Sequence, residues 1–173
     1  MKRPGLTYLI VGAIFVAIGA YIGVQQLAPE PAKATAVTEL MAQSLPDAAG
    51  QIQRLDQWQG KILVVNFWAT WCAPCVKEMP ELAALQTELA TKQIQILGVG
   101  IDSAANIAEF ANKYNITYPL IVAGMGGAKL TRAFGNQAGG LPYTVIIGRK
   151  GELLKTYMGQ LDIAELRRDL NAL

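Results

Sequence analysis

Residues Lys61 to Trp68, KILVVNFW, form a nearly unbroken run of apolar, β-branched and aromatic side chains. A strand wetted on one face alternates apolar with polar residues, so a run without that alternation needs cover on both faces. Part of the cover follows directly. Cys75, Met79, Leu82, Leu85 and Leu89 recur at gaps of 4, 3, 3 and 4, the spacing of one face of an amphipathic helix that extends to about Thr91. Pro80 lies inside that helix and is expected to kink it. A buried strand that hands over at once to a helix restricts the chain to helices packed around a central sheet.

The remaining segments fit that class. Gln51 to Leu55, flanked by turn residues between Ser44 and Gly60, reads as a small leading strand or hairpin. Gln93 to Ile101 is a second buried strand, and Asp102 or Ser103 offers an N-cap for a helix over Ala104 to Tyr114. Tyr118 to Val122 is a short strand, and the glycines at 124, 126 and 127 precede a helix that Gly135 can end. Thr144 to Ile147 and Leu153 to Tyr157 flank the turn GRKGE as a hairpin, and Ile163, Leu166, Leu170 and Leu173 give the stripe of a last helix. The expected fold is α/β, a mixed sheet flanked by helices.

The N-terminus is of another kind. No charged residue lies between Arg3 and Glu30, and Leu6 to Val24 reads LTYLIVGAIFVAIGAYIGV. As a helix this stretch reaches roughly 28 Å, about the thickness of the hydrocarbon core of a bilayer. Residues 1–5, with Lys2 and Arg3, are expected as a cytoplasmic tip, residues 6–24 as a transmembrane anchor or a signal segment, and residues 25–36 as a proline- and alanine-rich linker. The folded domain is expected over residues 37–173. Either fate of the apolar segment exports that domain.

Of 173 residues two are cysteine and none is histidine, and the formal net charge is +2. Without imidazole the chain has no Ser-His-Asp or Cys-His catalysis, no His-ligated haem and no His-containing zinc site. Without a basic run it has no electrostatic footprint for nucleic acid. Cys72 and Cys75, separated by Ala73 and Pro74, sit where the buried strand meets the helix. A thiol there faces unsatisfied backbone N–H groups and the positive end of the helix dipole, which favour its thiolate. Pro74 suits a first turn because its missing N–H would have had no partner. An i, i+3 pair also lies within reach of a disulfide. Cys72 is then the exposed, attacking sulfur and Cys75 the resolving one. A static disulfide and a metal site are the alternatives. The loop is too short for a bridge to remove much unfolded-chain entropy, and one cysteine pair does not complete a zinc set.

The segment NFWATWCAPCVKEMPEL, Asn66 to Leu82, resembles the active-site segment of the thioredoxin superfamily, specifically its membrane-anchored TlpA/ResA-like branch. The resemblance continues from SLPD and WQGK through Gly140-Leu141-Pro142 to the end of the chain. It implies a thioredoxin-like fold behind an N-terminal transmembrane helix, and a thiol-disulfide oxidoreductase that needs no cofactor and no metal beyond Cys72 and Cys75 as a redox-active disulfide. It implies a bacterial inner-membrane protein whose domain is extracytoplasmic. Its partners would be protein disulfide substrates, apocytochrome c among them, and a DsbD- or CcdA-like membrane thiol reductase as electron donor. Leu141-Pro142 matches the family's cis-proline loop, where the residue before proline offers its backbone to substrate; an ordinary trans turn is the alternative. Trp71 either shields the thiols or simply packs. Asn66 stands where thioredoxin has a buried aspartate, and it cannot ionise. Glu78, one turn beyond Cys75, is the replacement candidate, against a plain solvated surface residue. A disulfide-forming oxidase and a binding or metal-delivery module are the rival functions.

Overall fold

The computed structural model describes residues 31–173, which begin with a helix, α1 (Pro31–Met41). The expected cytoplasmic tip, the span over residues 6–24 and residues 25–30 of the linker lie outside the described residues. Among the described residues no helix is long and apolar enough to cross a membrane. The rest of the linker departs from expectation, because residues 31–36 are helical and Ala36 is buried. Proline at the first helical position starts this helix readily. Ala36, Val37, Leu40 and Met41 then form a buried stripe at i, i+1, i+4 and i+5.

A two-stranded antiparallel hairpin follows, β1 (Ser44–Pro46) with β2 (Ile52–Arg54), and a 3-10 turn over Leu55–Trp58. Next come β3 (Ile62–Trp68), α2 (Ala73–Leu89), β4 (Ile94–Gly100) and α3 (Ala104–Tyr114). Then follow β5 (Leu120–Val122), α4 (Met125–Ala133), β6 (Tyr143–Ile147), β7 (Leu153–Met158) and α5 (Ile163–Asn171). Ser103 is the N-cap of α3, its hydroxyl accepting from the Asn106 N–H at 3.2 Å.

The sheet order is β5-β4-β3-β6-β7, with β3, β4 and β5 parallel and β6 and β7 antiparallel to their neighbours. Every residue of β3 is buried, as its run requires. Period-two alternation divides them. Ile62, Val64 and Trp68 join the core under α2, α3 and α5, whereas Leu63, Val65 and Phe67 join the core under α1 and α4. Asn66 therefore points to the α2 side. Its partner across the β3–β6 ladder is Thr144. On that same side Gly98 of β4 is a close approach, since a Cβ there would lie 2.5 Å from Leu120 Cδ2 and 3.2 Å from both Trp68 Nε1 and Tyr118 Cε2.

Candidate active site

The loop from β3 to α2 leaves the sheet at the carboxyl ends of β3 and β4, the end where open α/β sheets place their sites. Two sets of bonds hold it. The Cys72 N–H donates to the Ala69 carbonyl at 3.1 Å, and the Thr70 N–H donates to Asp102 Oδ2 at 3.2 Å. The Thr70 hydroxyl donates to the same oxygen, while Asp102 Oδ1 accepts from Ser103 N–H and Asn106 Nδ2 at 2.7 Å each. These donors keep the Asp102 carboxyl below the usual carboxylate range, although partial burial opposes them. The carboxylate just past β4 thus clamps the loop that delivers the cysteines. Neither Thr70 nor Asp102 stood out as a site residue in sequence, because one carboxylate after a strand carries no motif.

Cys72 directly precedes the first residue of α2 and is bonded to Cys75, with the two Cα atoms 5.3 Å apart. Cys75 N–H points at Cys72 Sγ, 3.4 Å away. Cys72 keeps 6% of its surface exposed and Cys75 none, so a partner can reach only the first sulfur. Trp71 is 69% exposed, which rules out simple core packing and leaves an apolar face beside the pair.

Glu78 is wholly buried on α2, which removes the solvated-surface alternative. Position 78 follows Cys75 by three residues, so the two side chains share the buried face of the helix one turn apart. Glu78 Oε1 accepts from Asn66 Nδ2 at 2.8 Å, and Oε2 accepts from the Leu161 N–H at 2.8 Å. Asn66 Nδ2 also donates to Thr144 Oγ1 at 2.9 Å. Burial pushes the Glu78 carboxyl up to about 6; the Leu161 and Asn66 donors pull the other way, and Glu81 adds a little repulsion. Tyr118, buried beside Trp68, is raised by desolvation and then by the charge of Glu78. Asn66 was legible as polar in a buried strand, which demands a partner. That the partner is Glu78 was not.

The Leu141-Pro142 peptide is cis, as the resemblance implied. It leads into β6 one residue before Tyr143, whose ladder partner is Phe67, so this loop and the cysteine loop emerge from adjacent strands at one end of the sheet. The Pro142 carbonyl accepts from the Gly159 N–H at 2.9 Å. Met158, the β7 partner of Tyr143, is 57% exposed beside this loop and extends the apolar surface. A hollow of about 300 Å³ lies between the cysteine loop and α3, lined by Thr70, Val76, Asn106, Phe110 and Tyr114 among others but by neither cysteine.

The arrangement resembles known proteins over most of its length. Residues 29–170 match the Redoxin family. The thiol-disulfide oxidoreductase ResA of Geobacillus thermodenitrificans is 29% identical over 130 residues, covering 75% of this chain and 72% of that protein. ResA of Halalkalibacterium halodurans is 28% identical over 159 residues, 91% of this chain and 88% of its own. The crystal structure of a thiol:disulfide interchange protein of the thioredoxin family from Chlorobium tepidum superimposes with a TM-score of 0.66 at 26% identity, over 75% of this chain and 91% of that one.

Proposed function

The chain belongs to the Redoxin family and is a thiol-disulfide oxidoreductase of the ResA type, and we propose that its cysteine pair reduces disulfides in exported proteins. The observation that carries the exchange chemistry is the asymmetry of the pair, with Cys72 reachable at the mouth of α2 and Cys75 sealed behind it; the reducing direction is what the resemblance to the ResA-like branch implies. In the reduced protein the Cys72 thiolate attacks one sulfur of a client disulfide. That S–S bond breaks, a mixed disulfide forms, and the departing client sulfur takes a proton. Cys75 then gives its proton to the Glu78 carboxylate and attacks Cys72 Sγ; the mixed disulfide breaks, the second client sulfur leaves as a thiolate that takes a proton from water, and Glu78 returns its own to solvent. Two electrons pass to the client. The protein is left as the Cys72–Cys75 disulfide.

A carboxyl near 6 suits that exchange, because it is ionised at neutral pH yet close enough to neutrality to hold the proton in passing. Leu141 and Pro142 are the proposed rest for a client strand, with Trp71 covering its apolar side chains. The proposed setting is extracytoplasmic, on a bacterial inner membrane, with the domain tethered by the segment 6–24. An oxidising compartment does not recharge a reductant, so the electrons must cross the membrane. A DsbD- or CcdA-like thiol reductase is the proposed donor. Apocytochrome c, whose own cysteine pair must be reduced before it takes haem, is the proposed client class.

Trapping tests this directly. In cells expressing C75S the mixed disulfide cannot be resolved, and exported proteins bearing a cysteine pair should accumulate as adducts that dithiothreitol releases. The C72S/C75S variant should trap none. Absence of adducts with C75S, or equal capture by both variants, would refute the assignment of Cys72.

A further inference from the structure

The end of the sheet opposite the cysteines carries a second concave surface that the redox chemistry does not use. A groove of about 780 Å³ has a floor of Val37, Met41, Trp58, Leu63 and Ile147, core side chains that each keep at most 8% of their surface exposed. Lys61, Arg149 and Lys150 also line it, the last two exposed and none of the three ion-paired among the described residues. The acid in that lining is Asp56, and Arg54 Nη2 already engages it at 2.6 Å. A second carboxylate, Glu152, is turned into its own hairpin, where it accepts from the Lys150 N–H at 3.0 Å and packs against Gly148. With that floor almost closed over, what the groove presents is its net basic margin, which fits an anionic phosphate group, whether a phospholipid headgroup or a free phosphate.

The chain itself supplies the reason to choose a membrane. Ala34, Val37 and Thr38 of α1 belong to the groove, so the polypeptide enters the described fold at its edge. On the anchor assignment, residues 25–30 are all that separates Val24 from Pro31, a reach of roughly 25 Å at full extension. We propose that this groove docks on anionic phospholipid headgroups of the bilayer that holds the anchor. The proposal rests on residues 6–24 being that anchor. β3 runs from the groove, at Leu63, to the redox loop beyond Trp68, which sets the two sites roughly 20 Å apart along the strand. Docking therefore aims Cys72 away from the lipid toward exported clients, and recharging by a donor within the membrane requires release.

The test uses the full chain in nanodiscs of phosphatidylcholine, alone or mixed with phosphatidylglycerol, read by hydrogen exchange. Amides of residues 34–42 and 147–151 should exchange at least threefold more slowly on the anionic discs. K61Q/R149Q/K150Q and raised ionic strength should each abolish the difference, while the helical amides of α2 stay unchanged. Equal exchange on the two lipids, or protection that survives in the triple variant, would overturn the docking. Co-elution with phosphatidylcholine discs reads the anchor separately. A chain that co-elutes only with anionic discs keeps the groove and loses the anchor, and one that co-elutes with neither loses both.

Discussion

Glu78 is a carboxylate held in the core by two donors, and the magnitudes show which effect prevails. Hydrogen bonds to an ionised group are worth about 1.5–3 kcal/mol each, yet the carboxyl still rises from 4.5 to about 6, so desolvation outweighs the Leu161 and Asn66 donors together. The folded state then binds more protons than the unfolded chain between those values. Stability falls as pH rises through that window, by about 2 kcal/mol, and the loss persists at neutral pH. Asp47, Asp102 and Asp169 are lowered instead, so what they contribute is lost only as pH falls into a more acidic range. In E78Q the decline over pH 4.5 to 6 should vanish, as read by urea melts across that range. The same variant removes a negative charge one turn from Cys75. The thiol pKa values of the reduced pair should drop by roughly one unit, read by thiolate absorbance; unchanged values would remove Glu78 from the chemistry.

At the scale of elements, α5 reaches into the active site through its first turn. Asp162 caps it, accepting from the Ala164 and Glu165 N–H groups at 2.8 and 3.0 Å, and the preceding residue Leu161 supplies the N–H on Glu78. D162A should cost about 1 kcal/mol in stability. Loosening that turn also weakens the donor, so the Glu78 carboxyl should titrate above 6, measurable by side-chain NMR. G98A tests the other wall, because its Cβ has no room against Leu120 and Trp68; a loss of about 1–3 kcal/mol in denaturant melts is expected.

The strands and helices around these positions were legible because their periods are local. Position 78 falls at i+3 in a series with Cys75, Met79 and Leu82, yet the sequence left it open between this face and a solvated one, because a carboxylate is buried only where donors meet it. Its partners were not legible, since Asn66, Thr144 and Leu161 come from three distant segments that only the sheet register brings together. The helix over residues 31–41 escaped for a related reason. Its buried stripe begins at Ala36, where the alanine- and proline-rich stretch was expected to end as a tether. Leu173, expected on the last apolar stripe, lies beyond α5 and is exposed, the stripe ending at Leu170.

Across the whole molecule, β3 links two unlike ends. One presents a single reachable sulfur beside Trp71 and the cis-proline loop; the other presents a groove with a basic margin. The central claim, that electrons leave this protein for its clients, depends on how far the chain favours its disulfide over its dithiol. Equilibrating the full chain with dithiothreitol redox buffers at pH 7 measures that preference. The proposed reductant should have a potential near that of thioredoxin, about −270 mV, and a value near that of DsbA, about −120 mV, would contradict it.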